Sequence, residues 1–278
     1  MRPASWAFVK RTGRAFYDDQ MTHHAAALTY YGLMSLFPAA LLGISLLGLL
    51  GQYPDTYKSV VSYLHDVVPK QTLNALDDSL RAAIKHKGNA ATALAIGVVT
   101  ALYGTTGVLE AARRALNVAF RVESGRSFLH RKARDIASSF ILLGLVLITL
   151  ILVFVGGKLA DHVLGGNGAH AWNIVRWPAA VVIAMLAFAY VYYVTPDLRV
   201  RDFRQMLPGA VVAVVLWIAA SWGFSQYLSH YQSVSAIYGA FAGAIILVIW
   251  VWLSNVAMLF GAEINAQLAR GRSPDNLL

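Results

Sequence analysis

The stretch YGAFAGAIILVIWVWLSNVAMLFGAEINAQLAR (Tyr238–Arg270) decides the fold. No charged side chain occurs from Tyr231 to Ala262. A hydrocarbon core ~30 Å thick is crossed by roughly 20 residues of helix at 1.5 Å rise. This run is longer, so its helix either tilts or projects its last turns beyond the core. Five more uncharged runs precede it: Ala25–Gly51, Asn89–Leu109, Ile136–Gly157, Trp177–Pro196 and Gln205–Ser229. Soluble proteins seldom bury one helix of that length without a charge, and six in one chain point to lipid. The expected fold is all-α: a polytopic membrane protein with six transmembrane helices at about 27–51, 89–110, 136–157, 176–196, 206–229 and 236–266. The domain organisation that follows is a cytoplasmic or interfacial segment at 1–24, a transmembrane domain at 25–268 and a cytoplasmic tail at 269–278.

Composition agrees. Of 278 residues, 58% are hydrophobic and 13% charged, about half the charge of a soluble domain. The absence of cysteine excludes disulfides and thiolate metal sites. The first apolar run is too long for the core of a signal peptide, so no cleavage is expected. The net charge of +9 reads as an orientation signal, because cytoplasmic loops are enriched in Lys and Arg. Sixteen of the 23 basic residues fall in the N-terminal segment, second loop, fourth loop and tail, against seven in the alternate loops. Both termini are therefore expected in the cytoplasm, with anionic lipid headgroups as partners of the basic flanks. Nucleic acid is not expected as a partner: no RNA-binding module or Gly-rich phosphate loop is visible.

Residues 3–20 read as an interfacial helix, with Trp6, Val9, Phe16 and Gln20 at helical spacing and Lys10, Arg11 and Arg14 elsewhere on its surface. Pro38 falls in the middle of the first span and removes a backbone hydrogen bond, as a hinge or as a static packing bend. The first loop carries two short amphipathic patterns, Val60 to Val68 and Leu73 to Ile84, expected to lie over the outer mouth of the bundle. Small residues at Ala93, Gly97 and Ala101, and the Gly239/Gly243 pair, suit close helix contact within the bundle or between copies in a homo-oligomer. The third loop, Gly156–Arg176, reads as a Gly-rich connection, with Trp172 and Trp177 in an outer aromatic belt. Pro208 suits the first turn of the fifth helix. Trp217, Trp222, Trp250 and Trp252 lie too deep for a belt and are expected to pack between helices or line a cavity.

Ionisable groups inside spans are expensive, about 2.5–3.5 kcal/mol at a helix centre, and merit a functional reading. The second span ends with Glu110, Arg113 and Arg114, the sixth with Glu263 and Asn265, and the first begins with Tyr30 and Tyr31 after His23 and His24. These ends are expected to converge on the cytoplasmic side. The expectation is an ion pair of Glu263 with Arg113 or Arg114, supported by Glu110 at i+3 and i+4 spacing. The cluster reads as a proton-coupled gate, an anion-headgroup site, or a polar cap that locks helices together. Asn255 is the strongly polar residue deep in the last span, suited to an interhelical hydrogen bond or to a cavity. No catalytic, cofactor or metal motif is found: His23 and His24 are adjacent, the other histidines scattered, and HExxH, GxSxG and Walker patterns are absent.

HAAALTYYGLMSLFPAALLGISLLG (His24–Gly48) and the opening stretch Tyr238–Arg270 together resemble the YihY/virulence factor BrkB family of bacterial inner-membrane proteins, over roughly residues 15–270. The resemblance implies six helices in a bacterial inner membrane and carries Tyr30, Tyr31, Pro38, Gly239, Gly243, Glu263 and Asn265 forward as important positions. The family has carried a ribonuclease label, yet no nuclease ligands are visible in the chain, and enzymatic activity is not expected. Two functions remain on the sequence: a transporter or lipid-handling permease, and a non-catalytic envelope scaffold.

Overall fold

A computed structural model describes residues 6–49, 106–122, 135–142, 144–145, 148–149, 157–198, 202–230 and 242–271, and among these helix is the only regular structure. The protein is an all-α membrane protein. In chain order the helices are α1 (Trp6–Asp18), α2 (Met21–Leu49), α3 (106–120), α4 (135–142), α5 (Gly157–Val194), α6 (Leu207–His230, preceded by a 3-10 turn at Phe203–Met206) and α7 (Ala242–Arg270). Three segments of the described residues are long and apolar enough to cross a membrane: His170–Val194, Phe203–Leu228 and Gly243–Arg270. Of the other three expected spans, the first coincides with α2 through Leu49, the third is described in part, and the second falls largely outside that set, as do the amphipathic patterns of the first loop, Gly97 and Gly239. The three spans expose large apolar side chains such as Ile174, Trp177, Val215 and Trp222. Water would penalise that surface; hydrocarbon does not.

Helix boundaries follow local chemistry where a breaker is present. Asp202 caps the 3-10 turn by accepting from the Arg204 N–H at 3.0 Å, and Pro208 sits in the first turn of α6, where a missing N–H costs nothing. The third loop is corrected. Residues expected to form a Gly-rich connection between 156 and 176 are helical, and α5 runs through them and across Pro178 without interruption. Glycine lowers helix propensity by about 1 kcal/mol per residue, a weak preference that neighbouring Leu, Val and Ala outweigh. α2 continues past position 38 to Leu49.

The chain divides into two compact units. The first comprises Met1–Ala27, Leu109–Trp222 and Leu253–Leu278; the second comprises Leu28–Val108 and Gly223–Trp252. Within the first unit the apolar stripe expected on α1 divides, with Phe16 packed inward and Trp6 and Val9 exposed. Thr12 is buried and Phe16 stacks on Phe260 at 5.6 Å, while Trp6 is 80% and Tyr17 83% exposed alongside Val9, Lys10 and Arg14. The outward face thus combines aromatic and basic side chains, as a helix lying among headgroups requires.

The tightest approach in this unit is between α6 and α7. A Cβ built on Gly209 would overlap the Gly261 carbonyl, and one built on Gly261 would overlap the Gly209 carbonyl. The two glycines let the helix backbones touch, the role small residues play where lipid offers no hydrophobic drive for association. Trp217 adds a hydrogen bond between the same helices, donating from Nε1 to Ser254 Oγ at 3.0 Å. That makes Trp217 an interhelical packing residue. Asn255 and Trp250 are half-buried on α7, and Gly243 is exposed.

Candidate functional site

Two polar knots stand in the first unit, one closed by hydrogen bonds and one open. The closed knot centres on Arg113, 3% exposed on α3. Its guanidinium donates to Asp135 at the start of α4, to Glu110 Oε2 at 2.6 Å and to the Thr195 carbonyl just after α5 at 3.2 Å. One turn further along α3, Asn117 accepts from the Asp197 N–H at 2.9 Å and donates to the Asp197 carboxylate at 3.3 Å. Asp135, Thr195 and Asp197 stand at or just beyond helix ends, which fixes the start of α4 and the end of α5 against α3. Glu110 also reaches Arg114 at 3.6 Å, the i+4 contact its spacing suggests, although Arg114 itself is exposed.

The expected ion pair between Glu263 and Arg113 is not what forms. Arg113 is taken up by Asp135 and Glu110, and Arg114 by Glu110. Glu263 is instead fully buried on α7, and neither of its carboxylate oxygens has a hydrogen-bond partner among the described residues. Its charged surroundings are Asp19, Arg270 and Arg121. Asp19, in the turn between α1 and α2, accepts from Arg121 at 2.8 and 3.2 Å. Arg270 donates to the Ala119 carbonyl at 2.5 Å. Neither arginine donates to Glu263.

The backbone is strained on both sides of the Asp19–Arg121 pair. Gln20 and Arg121 have φ of 50° and 57°, the left-handed region that costs an L-residue roughly 1–2 kcal/mol. Arg121 ends α3 in a Schellman arrangement, in which Val122 N–H reaches the Asn117 carbonyl at 2.9 Å and Arg121 N–H that of Val118 at 3.1 Å. Glycine usually occupies that position. An arginine here keeps the turn and adds a side chain that meets Asp19, and such strain tends to collect at functional sites.

Asn265 ties the end of α7 to the start of α6. Its Oδ1 accepts from Gly209 N–H at 2.8 Å and its Nδ2 donates to the Met206 carbonyl at 2.9 Å, both buried. Asn265→Ala leaves one donor and one acceptor unpaired, at about 1–3 kcal/mol each. The expected outcome is a detergent-solubilised protein that melts well below the wild type, with Asn265→Asp intermediate because it keeps only the acceptor; equal melting of all three would contradict it.

Of the residues expected to converge, Glu110, Arg113, Arg114, Glu263 and Asn265 share the first unit, whereas Tyr30 and Tyr31 belong to the second. There the two tyrosine rings meet edge-on at 5.4 Å, and Tyr31 lies against Gly107. Sequence reasoning missed Asp19, Asn117, Arg121, Asp135, Asp197 and the Gly209–Gly261 crossing. A signal existed for the acids: Asp19, Asp135 and Asp197 stand just outside the apolar runs in a chain with 14 acidic residues. Among the described residues no three His, Cys, Asp or Glu side chains assemble as a metal site.

Comparison with known proteins agrees with this architecture. The chain is 30% identical over 257 residues to the "ribonuclease-like protein YfkH" of Bacillus subtilis, covering 90% of this chain and 91% of that one. It is 28% identical over 272 residues to a UPF0761 membrane protein of Pseudoalteromonas translucida, covering 94% and 84%. A UPF0761 membrane protein of Xanthomonas oryzae matches at 25% identity over 98% of this chain but 63% of its own length. No solved structure matches. Residues 12–277 match the family described as Virulence factor BrkB, and with nearly the whole chain covered, this membrane protein belongs to that family.

Proposed function

We propose that the protein is a permease of the bacterial inner membrane for a small molecule or lipid, with six spans, both termini cytoplasmic and the two polar knots at the cytoplasmic end. The orientation is supported by the basic residues and by the contacts of the first unit. The N-terminal segment, second loop, fourth loop and tail are the basic-rich segments, and they meet pairwise: Asp19 with Arg121, Asn117 with Asp197, Arg270 with Ala119, Asn265 with Met206. One end of the unit thus gathers the four segments that the charge count assigns to one side. The interfacial segment at 1–24, the helical domain at 25–268 and the tail at 269–278 then follow, and membrane lipids are the partners its apolar surface fits.

The observation that carries a transport role is Glu263. An ionisable group fully buried in a helix long enough to span, without a hydrogen bond from the arginines nearby, contributes nothing to rigidity that glutamine would not. Groups retained at that cost mark pathways and relays. The closed Arg113 knot and the Gly209–Gly261 contact favour a second reading, a rigid non-catalytic envelope scaffold, because they lock helices to one another. Flux into proteoliposomes separates the two. Full-length protein is expected to move fluorescent lipids or small solutes across the vesicle membrane. Glu263→Gln is expected to insert normally but slow that flux by about tenfold, a barrier change near 1.4 kcal/mol. Vesicles as tight as protein-free controls support the scaffold and end the permease reading.

A further inference from the structure

We propose that Asp19 and Glu263 form a proton-binding site, in which the two carboxyl groups share one proton taken from the cytoplasmic side. The geometry carries it. The Glu263 carboxyl is fully buried, neither oxygen has a hydrogen-bond partner among the described residues, and the nearly buried Asp19 carboxyl is its acidic neighbour. Two ionised carboxylates offer four acceptors and no donor, so their contact is repulsive and empty of hydrogen bonds. One proton supplies the missing donor and turns the contact into an O–H···O⁻ bond, the strong charge-assisted kind. Shared protons between close carboxyls are the established result of such pairing.

The surroundings fix where the proton rides. Asp19, with its side chain 7% exposed, already accepts twice from Arg121. The shared proton is therefore assigned to Glu263, whose oxygens accept from no donor among the described residues. Arg121 is committed to Asp19 and is 61% exposed, so water screens its pull on Glu263. Arg270, two turns beyond Glu263 on α7, spends its guanidinium on the Ala119 carbonyl. His24, on α2 beside Asp19, is pushed below its ordinary value by burial and by His23, with Asp19 pulling the other way. Asp19 joins the strained turn at Gln20 to the strained end of α3 at Arg121, so gain or loss of the proton acts on the contact that holds α1 and α2 to α3.

The site stands on this geometry and not on the permease reading, and it is tested without transport. In the folded protein it binds a proton that the separate carboxyls of the unfolded chain lose near pH 4–4.5. The folded state then holds more protons than the unfolded one, and stability falls as pH rises through the site's titration. For the full chain in lipid nanodiscs, the wild-type melting temperature is expected to fall from mildly acidic to mildly alkaline pH. Glu263→Gln, whose amide donates to Asp19 as the acid does, is expected to fold and to lose that slope. The infrared difference spectrum of the wild type across the same pH step is expected to lose a protonated-carboxyl C=O band that Glu263→Gln lacks. A wild-type spectrum without that band overturns the site even if the variant fails to fold, as does a folded Glu263→Gln that keeps the wild-type slope or band. Tight vesicles in the flux assay would leave this result untouched.

Discussion

Gly261→Ala is expected to produce the largest loss of stability of any single-methyl change in the described residues. The added carbon meets the Gly209 carbonyl, Ala213 Cβ at 2.8 Å and the Tyr192 hydroxyl at 2.8 Å. That hydroxyl donates to the Met258 carbonyl at 2.5 Å and cannot swing away without leaving a buried acceptor unpaired. Overpacking ordinarily costs about 1–3 kcal/mol because side chains yield. Here the first obstruction is backbone, so α6 and α7 must separate, and the cost is expected at about 3 kcal/mol or more. Separation also pulls Gly209 N–H away from Asn265, so the loss includes a hydrogen bond. Gly209→Ala, which meets the Gly261 carbonyl and Asn265, should behave alike. Gly223→Ala on the same α6 has open space around it and serves as the control, neutral or slightly stabilising. Denaturant titration of purified protein measures all three, and a Gly261→Ala protein as stable as the Gly223→Ala control would show that the helices do not touch.

The second large effect is Arg113→Ala. Removing one partner of a buried ion pair leaves the other as an uncompensated charge, at about 3–5 kcal/mol. Asp135, 4% exposed, has no solvent to turn to, and the Thr195 carbonyl loses its donor as well. Arg113→Lys is expected to restore little, since one ammonium cannot reproduce a fork that meets Asp135, Glu110 and Thr195 together. The double variant Arg113→Met with Asp135→Leu is the informative one. A buried pair replaced by apolar residues of similar volume is often neutral, so it should recover most of what Arg113→Ala loses. Recovery would identify the closed knot as a structural fastening. A stable double variant that loses flux in proteoliposomes would assign the knot a working role as well.

The spans were legible because their signal is local. Lengths and apolar character set α6 and α7 without any knowledge of partners, and Pro208 and Glu110 act on neighbours one turn away. The partners of Arg113, Asn117 and Asp19 were not legible for the opposite reason. Asp135 stands 22 residues from Arg113, Asp197 80 from Asn117 and Arg121 102 from Asp19, and no periodicity in one chain records such distances. Glu263 was singled out as an ionisable group at the end of a span, but paired with Arg113 or Arg114, whose guanidinium groups Glu110 and Asp135 take up. Gly209 and Gly261 lie on different helices, so neither falls in a small-xxx-small repeat with the other. The Gly-rich first half of α5 misled in turn, since glycine density was weighed above the apolar residues that surround it.

Because the chain has no cysteine, a single introduced thiol reports its side of the membrane without background. His170 is exposed at the start of one span and Gly271 just past the end of another. In intact cells His170→Cys is expected to react with a membrane-impermeant thiol reagent, whereas Gly271→Cys should react only once the membrane is opened. Labelling of both from the same side, or recovery of the protein in the aqueous fraction without detergent, would contradict the placement of the polar knots at the inner ends of membrane-crossing helices.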